Sequence, residues 1–367
     1  MRSVELAIIG AGPAGLSAAC QASRLGVKTL LIDEYVRPGG QLIKQIHKFF
    51  GSEAHRAGTR GIRIAKDFLK ELEESENVEM LMGATVWGIF PTRVMSVAHD
   101  GITEQIRAEK IIIATGSSEN ALNFPGWTLP GVMTAGAAQT SMNVNRVLPG
   151  RRVLMIGAGN VGVIVAYQLM QAGAREITVI EAKDSVGAYA VHAAKIARLG
   201  AKIYTGHTVK AVTGDERVER ATIVAVNGAF QPIEGTEKEL DVDMVCIACG
   251  LTPLNDLCRL AKCEYTWNPV LGGYVPLVSD RMETTADGVF VAGDCGGVEE
   301  ASTAIEEGAI AAITAAEQLG YVFAARAASL RAEARARLSD LRSGPYGEAR
   351  RAAKEVLNEE FVSYERV

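Results

Sequence analysis

Residues 4–34, VELAIIGAGPAGLSAACQASRLGVKTLLIDE, and residues 151–182, RRVLMIGAGNVGVIVAYQLMQAGAREITVIEA, share one layout. Each is an apolar run, a Gly-x-Gly-x-x-Gly turn, a helix-forming run, a second apolar run and a closing carboxylate. The layout predicts strand, glycine turn, helix and strand, and the chain contains it twice, 147 residues apart. In each turn the first glycine permits a tight bend, the second lets the backbone approach a pyrophosphate, and the third lets helix and strand pack closely. The first turn is Gly10, Gly12 and Gly15, with Pro13 and Ala14 opening its helix; the second is Gly157, Gly159 and Gly162, with Asn160 and Val161 opening its own. Each helix points its positive end at that pyrophosphate. Asp33 closes the first layout, where a carboxylate accepts ribose hydroxyls, and Glu34 beside it is the alternative. Glu181 holds the equivalent place in the second layout. An acidic residue there bonds a 2′-hydroxyl and repels a 2′-phosphate, which favours NAD over NADP. NAD, ATP or no nucleotide at all stay open for the second turn.

Other segments say how the halves join. AEKIIIATG ends at Ala114, Thr115 and Gly116 and leaves the first domain, while VDMVCIACG has the equivalent shape and closes the second. ETTADGVFVAGDCGG then reads as a strand that re-enters the first domain. The expected fold is α/β, with two Rossmann-like domains, the second inserted in the first, and a helical C-terminal tail. Its expected boundaries are 1–118 with 277–320 for the first domain, 121–275 for the second, and 321–367 for a charged tail broken at Ser343-Gly344-Pro345. With 48% of residues hydrophobic a large core can be buried, and a net charge of −5 makes no electrostatic case for nucleic acid or an anionic membrane. No apolar run reaches the roughly 18 to 20 residues of a membrane span. The opening MRSVELAIIGAG begins a strand at once, without the layout of a signal peptide. Six cysteines in so long a chain do not read as a secreted disulfide framework. The expectation is a soluble, cytoplasmic protein.

With these motifs in order, residues 4–320 resemble the two-dinucleotide-binding flavoproteins, the family of thioredoxin reductase and the NADH-dependent reductases. The resemblance implies FAD in the first domain and NAD(H) at the second turn. It implies that Gly293 and Asp294 meet the ribityl chain and pyrophosphate, and that Glu300, Ala301 and Ser302 start a helix near the flavin N1–O2 edge. Gly39, Gly40, Gln41 and Leu42 match the loop that runs beside the isoalloxazine, Val86 the place where backbone meets adenine, and Ala114, Thr115 and Gly116 the cofactor side of the exit strand.

A narrower resemblance lies in FPGWTLPGVMTAGAAQTSMN, VCIACGLTPLNDLCRLAKCEYTWNPVLGGYVPL and AGDCGGVEEASTAIEEG. These are similar to the larger flavoprotein subunit of heteromeric amine-oxidising enzymes: sarcosine oxidase, the opine oxidases, hydrogen cyanide synthase and the dye-linked proline and hydroxyproline dehydrogenases. That likeness implies an electron-relaying subunit with two kinds of partner, a D-amino-acid-oxidase-like catalytic subunit together with a small iron–sulfur subunit. Any FMN or [2Fe–2S] cluster is then expected only with the partners, because residues 321–367 contain no cysteine, whereas many such subunits continue into a cysteine-rich module. Two other functions compete: a self-sufficient NADH:acceptor oxidoreductase, and a nucleotide-bound scaffold without redox turnover.

Residues 131–150, GVMTAGAAQTSMNVNRVLPG, contain no cysteine, histidine or carboxylate, so the redox-active Cys-x-x-Cys that disulfide reductases carry in this run is missing. Cys246, Cys249, Cys258 and Cys263 read as buried small hydrophobes rather than metal ligands, since residues three apart on a strand face opposite sides. Cys20 falls on the first helix as packing, and Cys295 has no partner in sequence. Lys44, His47 and Arg60 read as an exposed basic loop, with a substrate or partner surface as the alternative. His192 alone does not make a phosphate site, and His55, His99 and His207 receive no role. No metal site and no catalytic residue is assigned. That suits hydride transfer between flavin and nicotinamide, where the cofactors do the chemistry and the protein positions them.

Overall fold

The computed structural model describes residues 1–345 and 347–365. Residues 346, 366 and 367 of the expected tail lie outside the described residues. The chain forms two compact units, 1–118 with 252–367, and 119–251.

Each glycine layout builds the centre of one sheet. In the first unit the strands Val78–Met82, Thr29–Asp33, Arg2–Ile9 and Ile102–Ile113 lie side by side in parallel, and Val289–Val291 adds in parallel to the last of them. The long strand Ile102–Ile113 does two jobs. Its second half pairs with Arg2–Ile9, while its first half joins Val94–His99 and Thr85–Phe90 in an antiparallel extension. The central strands are almost unbroken apolar runs, as parallel strands covered on both faces must be. Leu6, Ile8, Leu31, Ile111 and Phe290 are accordingly buried in one core. The second unit repeats the plan. Lys202–Thr205, Glu176–Glu181, Arg152–Ile156, Met244–Ile247 and Val132–Thr134 form a parallel sheet in the same winding, beside a three-stranded antiparallel sheet.

Two features differ from expectation. The chain re-enters the first unit at Thr252, not near 277. The short helix Asp256–Leu260 and the hairpin Tyr265–Asn268 with Gly273–Pro276 bury Cys258, Cys263, Leu271 and Val275 in the first unit's core. The second is the tail, which is largely exposed and charged yet also packs inward. Its helices Ala324–Leu341 and Glu348–Glu365 contribute Ala334, Leu338, Ala353, Leu357 and Phe361 to that same core. The first of these helices ends at Leu341 and the second begins at Glu348, on either side of the expected break. His55, which carries no signal in the sequence, is buried and places Nε2 3.0 Å from the Arg337 carbonyl oxygen, tying the loop after residue 44 to the tail.

Helix Ala301–Gln318 packs directly on helix Pro13–Arg24, and Ser17 Oγ donates to the Ile305 carbonyl at 2.7 Å. Contact this close depends on Gly308, where a Cβ would lie 2.1 Å from the Ala14 carbonyl oxygen. Forced overpacking costs about 1–3 kcal/mol. Gly308→Ala should therefore lower the thermal midpoint of the purified chain by several degrees. Gly228→Ala, at a position open for 4 Å around the new Cβ, should leave it unchanged.

Candidate functional site

The first turn is shaped by where no Cβ fits and where one would. Gly10 adopts φ +104, and a Cβ there would sit 2.3 Å from the Ala114 carbonyl oxygen; one on Gly15 would sit 1.7 Å from the Gly10 carbonyl oxygen. These contacts pull helix Pro13–Arg24 onto strands Arg2–Ile9 and Ile102–Ile113. Gly12 is the contrast, because nothing lies within 4 Å of a Cβ built there. The turn is therefore closed on its protein side and open at Gly12. Helix hydrogen bonding starts with Leu16 N–H to the Gly12 carbonyl at 2.9 Å, so the N–H groups of Ala14 and Gly15 belong to the helix's unbonded first turn. Asp33, not Glu34, brings its carboxylate to this turn. Its Oδ2 accepts from Ala11 N at 2.5 Å and its Oδ1 from Tyr35 N at 2.8 Å, while Glu34 is exposed.

The loop at residues 38–42 folds over the same place. Gly39 N donates to the Ala11 carbonyl at 2.8 Å, and Gly40, at φ +49, lies so near Gly12 that its Cβ would meet the Gly12 Cα at 2.7 Å. Gln41 is exposed and Leu42 is buried in the core, so any contact from Leu42 to a ligand is a backbone contact. Ala114 N donates to the Ile9 carbonyl, and Thr115 Oγ1 donates to the Leu254 carbonyl, which turns the chain away from the sheet. Val86 is buried on the antiparallel extension at a break in its register.

Gly293 and Asp294 follow strand Val289–Val291 and complete this side of the unit. Asp294 accepts from Ser117 Oγ at 2.8 Å and from Glu299 N at 3.2 Å. Burial pushes its carboxyl above the ordinary range, and those two hydrogen bonds only partly counter it. Glu300 is the N-cap of helix Ala301–Gln318, with its backbone N–H bonded to Thr303 Oγ1 at 3.2 Å. Ala301 and Ser302 form the first turn of that helix.

The second turn repeats the first almost atom for atom. Gly157 also adopts φ +104, and its Cβ would lie 2.3 Å from the Ala248 carbonyl oxygen; one on Gly162 would lie 2.2 Å from the Gly157 carbonyl oxygen; Gly159 is open. Asn160 and Val161 begin helix Asn160–Ala172. Glu181 accepts from Ala158 N at 2.9 Å and from Lys183 N at 3.1 Å, the same two backbone positions that hold Asp33. Ala188 N reaches the Ala158 carbonyl at 3.0 Å, as Gly39 reaches Ala11. Where Gly40 covers the first turn, Tyr189 N donates to Asn160 Oδ1 at 2.9 Å.

The cysteines divide differently from expectation. Cys20, Cys246, Cys258, Cys263 and Cys295 are buried, but Cys249 is exposed. Strand Met244–Ile247 ends before Cys249, which stands at the position equivalent to Thr115. Burial pushes the Cys20 thiol up to about 12 and raises that of Cys295. The basic loop is only partly an exposed one: Arg60 is exposed, but Lys44 and His47 are half-buried, with His47 stacked on Phe49 at 6.2 Å. His192 is buried on helix Ala190–Arg198 beside the Tyr189 ring, and burial lowers its basicity.

A tight turn with an open second glycine, unbonded helix N–H groups and a backbone-held carboxylate is what a dinucleotide requires, and the chain has both copies. Residues 4–308 match the family described as pyridine nucleotide-disulphide oxidoreductase. The chain belongs to that family. Membership implies an FAD-dependent oxidoreductase.

Among curated relatives, an opine oxidase subunit from Agrobacterium tumefaciens is 30% identical over 349 residues, covering 87% of this chain and 66% of the relative. The HcnB subunit of hydrogen cyanide synthase from Pseudomonas aeruginosa is 25% identical, covering 95% and 79%. The alpha subunit of sarcosine oxidase from a Corynebacterium species is 26% identical, covering 86% and 33%. The chain spans about two thirds of the length of the opine oxidase subunits it matches. Two solved structures share its fold. T. acidophilum thioredoxin reductase has a TM-score of 0.71 at 22% identity, covering 87% of this chain and 99% of that one. L-proline dehydrogenase from P. horikoshii has a TM-score of 0.70 at 22% identity, covering 91% and 59%. Among the described residues no helix is long and apolar enough to cross a membrane.

The two open glycines separate ligand binding from folding. Gly12 and Gly159 have extended backbones that any residue can adopt, at φ −77 and −74. Gly12→Ala and Gly159→Ala should each keep the thermal midpoint of the ligand-free chain, within about 1 kcal/mol of stability. Each should weaken dinucleotide binding at its own turn by about tenfold or more, read by equilibrium titration, and leave the other turn unaffected.

Proposed function

We propose that this chain is the electron-relaying FAD subunit of a heteromeric amine or imino-acid dehydrogenase or oxidase, of the proline, hydroxyproline, sarcosine or opine type. FAD is held by the first turn with Asp33, Gly40, Val86, Asp294 and the start of helix Ala301–Gln318, and NAD(H) by the second turn with Glu181. One observation carries the reading. Both nucleotide turns are complete, each with its oriented carboxylate, in a chain whose relatives are named as subunits of opine oxidase, sarcosine oxidase and hydrogen cyanide synthase. The helix Ala135–Asn143 and its flanks carry no cysteine, which argues against the disulfide chemistry in the family's name.

In this reading the flavin, when bound, supplies the electron-accepting and electron-donating chemistry. The protein's own residues bind and orient. Asp33 and Glu181 accept ribose hydroxyls through carboxylates that the backbone holds in place. Asp294, buried and short of donors, takes hydroxyl donors from the ribityl chain. The N-terminus of helix Ala301–Gln318 offers partial positive charge to an anionic edge. The partner carrying the amine-oxidising site is a D-amino-acid-oxidase-like chain. A small iron–sulfur protein carries any cluster.

The test uses the chain purified alone and then with its native partners. Alone, it should contain FAD and lose its yellow colour under anaerobic NADH, with NADPH far less effective. Glu181→Ala should erase most of the NADH preference, roughly 10- to 100-fold or about 1.4–2.8 kcal/mol. Amine-dependent dye reduction should appear only when the partner chain is present. Rapid turnover of NADH with an added acceptor by the isolated chain, without any partner, would support the self-sufficient reductase. A flavin that NADH never bleaches and an amine activity independent of this chain's flavin would leave only a scaffold role.

A further inference from the structure

The segment Gly293–Glu300 is gripped from behind by the tail. Glu307 Oε2 accepts from Gly293 N at 2.8 Å, inside the turn that presents Asp294. The same carboxylate accepts at its other oxygen from Arg342 Nη2 at 2.5 Å and from Lys354 Nζ at 3.0 Å. Arg342 also forks onto Glu299, with Nε at 3.0 Å and Nη2 at 2.5 Å, and Lys354 caps the Gly296 carbonyl at 3.0 Å. All four side chains are enclosed, at 4% exposure for Glu299, 3% for Glu307, 11% for Arg342 and 12% for Lys354. Two cations meet two carboxylates, so the cluster is charge-balanced and each member depends on the others. Burial alone would raise Glu307, but Lys354 and Arg342 outweigh it and hold its carboxyl below the ordinary range. Both cations come from the tail, from the end of one tail helix and the middle of the other, and every group they hold lies at residues 293–307.

We propose that Arg342 and Lys354 are positioning residues for FAD, and that the tail is a strut that fixes Gly293, Asp294 and the start of helix Ala301–Gln318 in their cofactor-binding geometry. This rests on the reading of the first unit as the FAD site. Neither side chain bonds Gly293 or Asp294 directly. Their action passes through Glu307 to Gly293, and through Glu299, whose backbone N–H donates to Asp294. A loop of several glycines has much conformational freedom to lose when it binds, and a buried pair that holds it in advance removes that cost from the binding step.

The test compares Lys354→Met and Arg342→Met in the full chain with Arg335→Met, on the tail helix that Arg342 ends, which breaks an ion pair to the Asp280 carboxylate and two hydrogen bonds to its carbonyl, away from residues 293–307. FAD affinity is read by fluorescence titration of the deflavinated protein, and loop order by hydrogen exchange at 293–300 without flavin. Lys354→Met and Arg342→Met should each weaken FAD binding by about tenfold or more and speed exchange at 293–300. Arg335→Met should stay within about twofold of the unsubstituted chain on both, and NADH affinity at the second turn should not move. FAD affinity within about twofold for a folded Lys354→Met or Arg342→Met chain, with unchanged exchange, would overturn the strut. If neither variant folds, exchange in the unsubstituted chain decides: residues 293–300 and 348–357 should open together with one protection factor, and independent opening would overturn the proposal. A chain that takes up no FAD would refute the cofactor reading instead, while its exchange data would still judge the strut.

Discussion

A Cβ on Gly15 would lie 1.7 Å from the Gly10 carbonyl oxygen, and one on Gly162 would lie 2.2 Å from that of Gly157. Because no side chain intervenes, each helix sits directly on the strand before it, and its unbonded N–H groups gather where the backbone is open. The rest of each unit follows from this contact. The exit strand must abut the first glycine, which sets Ala114 and Ala248 in their places. The carboxylate at the end of the second strand is then close enough to accept from one backbone N–H of the turn itself, Ala11 in the first copy and Ala158 in the second.

The two copies also show where one plan varies. Asp33 and Glu181 differ by a methylene, yet each bonds the residue after the first glycine and the backbone N–H two residues further along its own strand end. The covering loops diverge more. A glycine presses on the first turn, whereas the second carries Tyr189 bonded to Asn160. The first unit adds the pair of tail helices behind its loop at 293–300. The loop at 293–300 therefore has protein behind it, in Glu307, Arg342 and Lys354.

The doubled layout is legible in the sequence because its determinants are local: glycine positions, apolar periodicity and a carboxylate that follows in the same segment, Asp33 after Gly10 and Glu181 after Gly157. Asp33 is the sequence's first choice with Glu34 as the alternative, and the hydrogen bond from Ala11 N to Asp33 Oδ2, 22 residues apart in the chain, is what separates the two. The return to the first unit at Thr252 was hidden because LCRLAKCEY packs equally well, on composition, against either core. Arg342 and Lys354 stand among many charges in the tail, and the groups they hold are 35 to 58 residues away, so nothing in their neighbourhood distinguishes them from solvated ions. His55 is harder still, since its partner lies 282 residues on. Cys249 looked like its buried neighbour Cys246 because the end of a strand, unlike its middle, leaves no periodic mark.

The central claim is that the two turns hold two different dinucleotides at once. Native mass spectrometry of the purified chain, before and after addition of NAD, tests it most directly. The account predicts one FAD per chain as isolated, and one FAD plus one NAD per chain after addition, with FAD lost selectively in Gly12→Ala and NAD in Gly159→Ala. A chain that carries no flavin, or that exchanges its flavin for NAD at a single shared site, would contradict it.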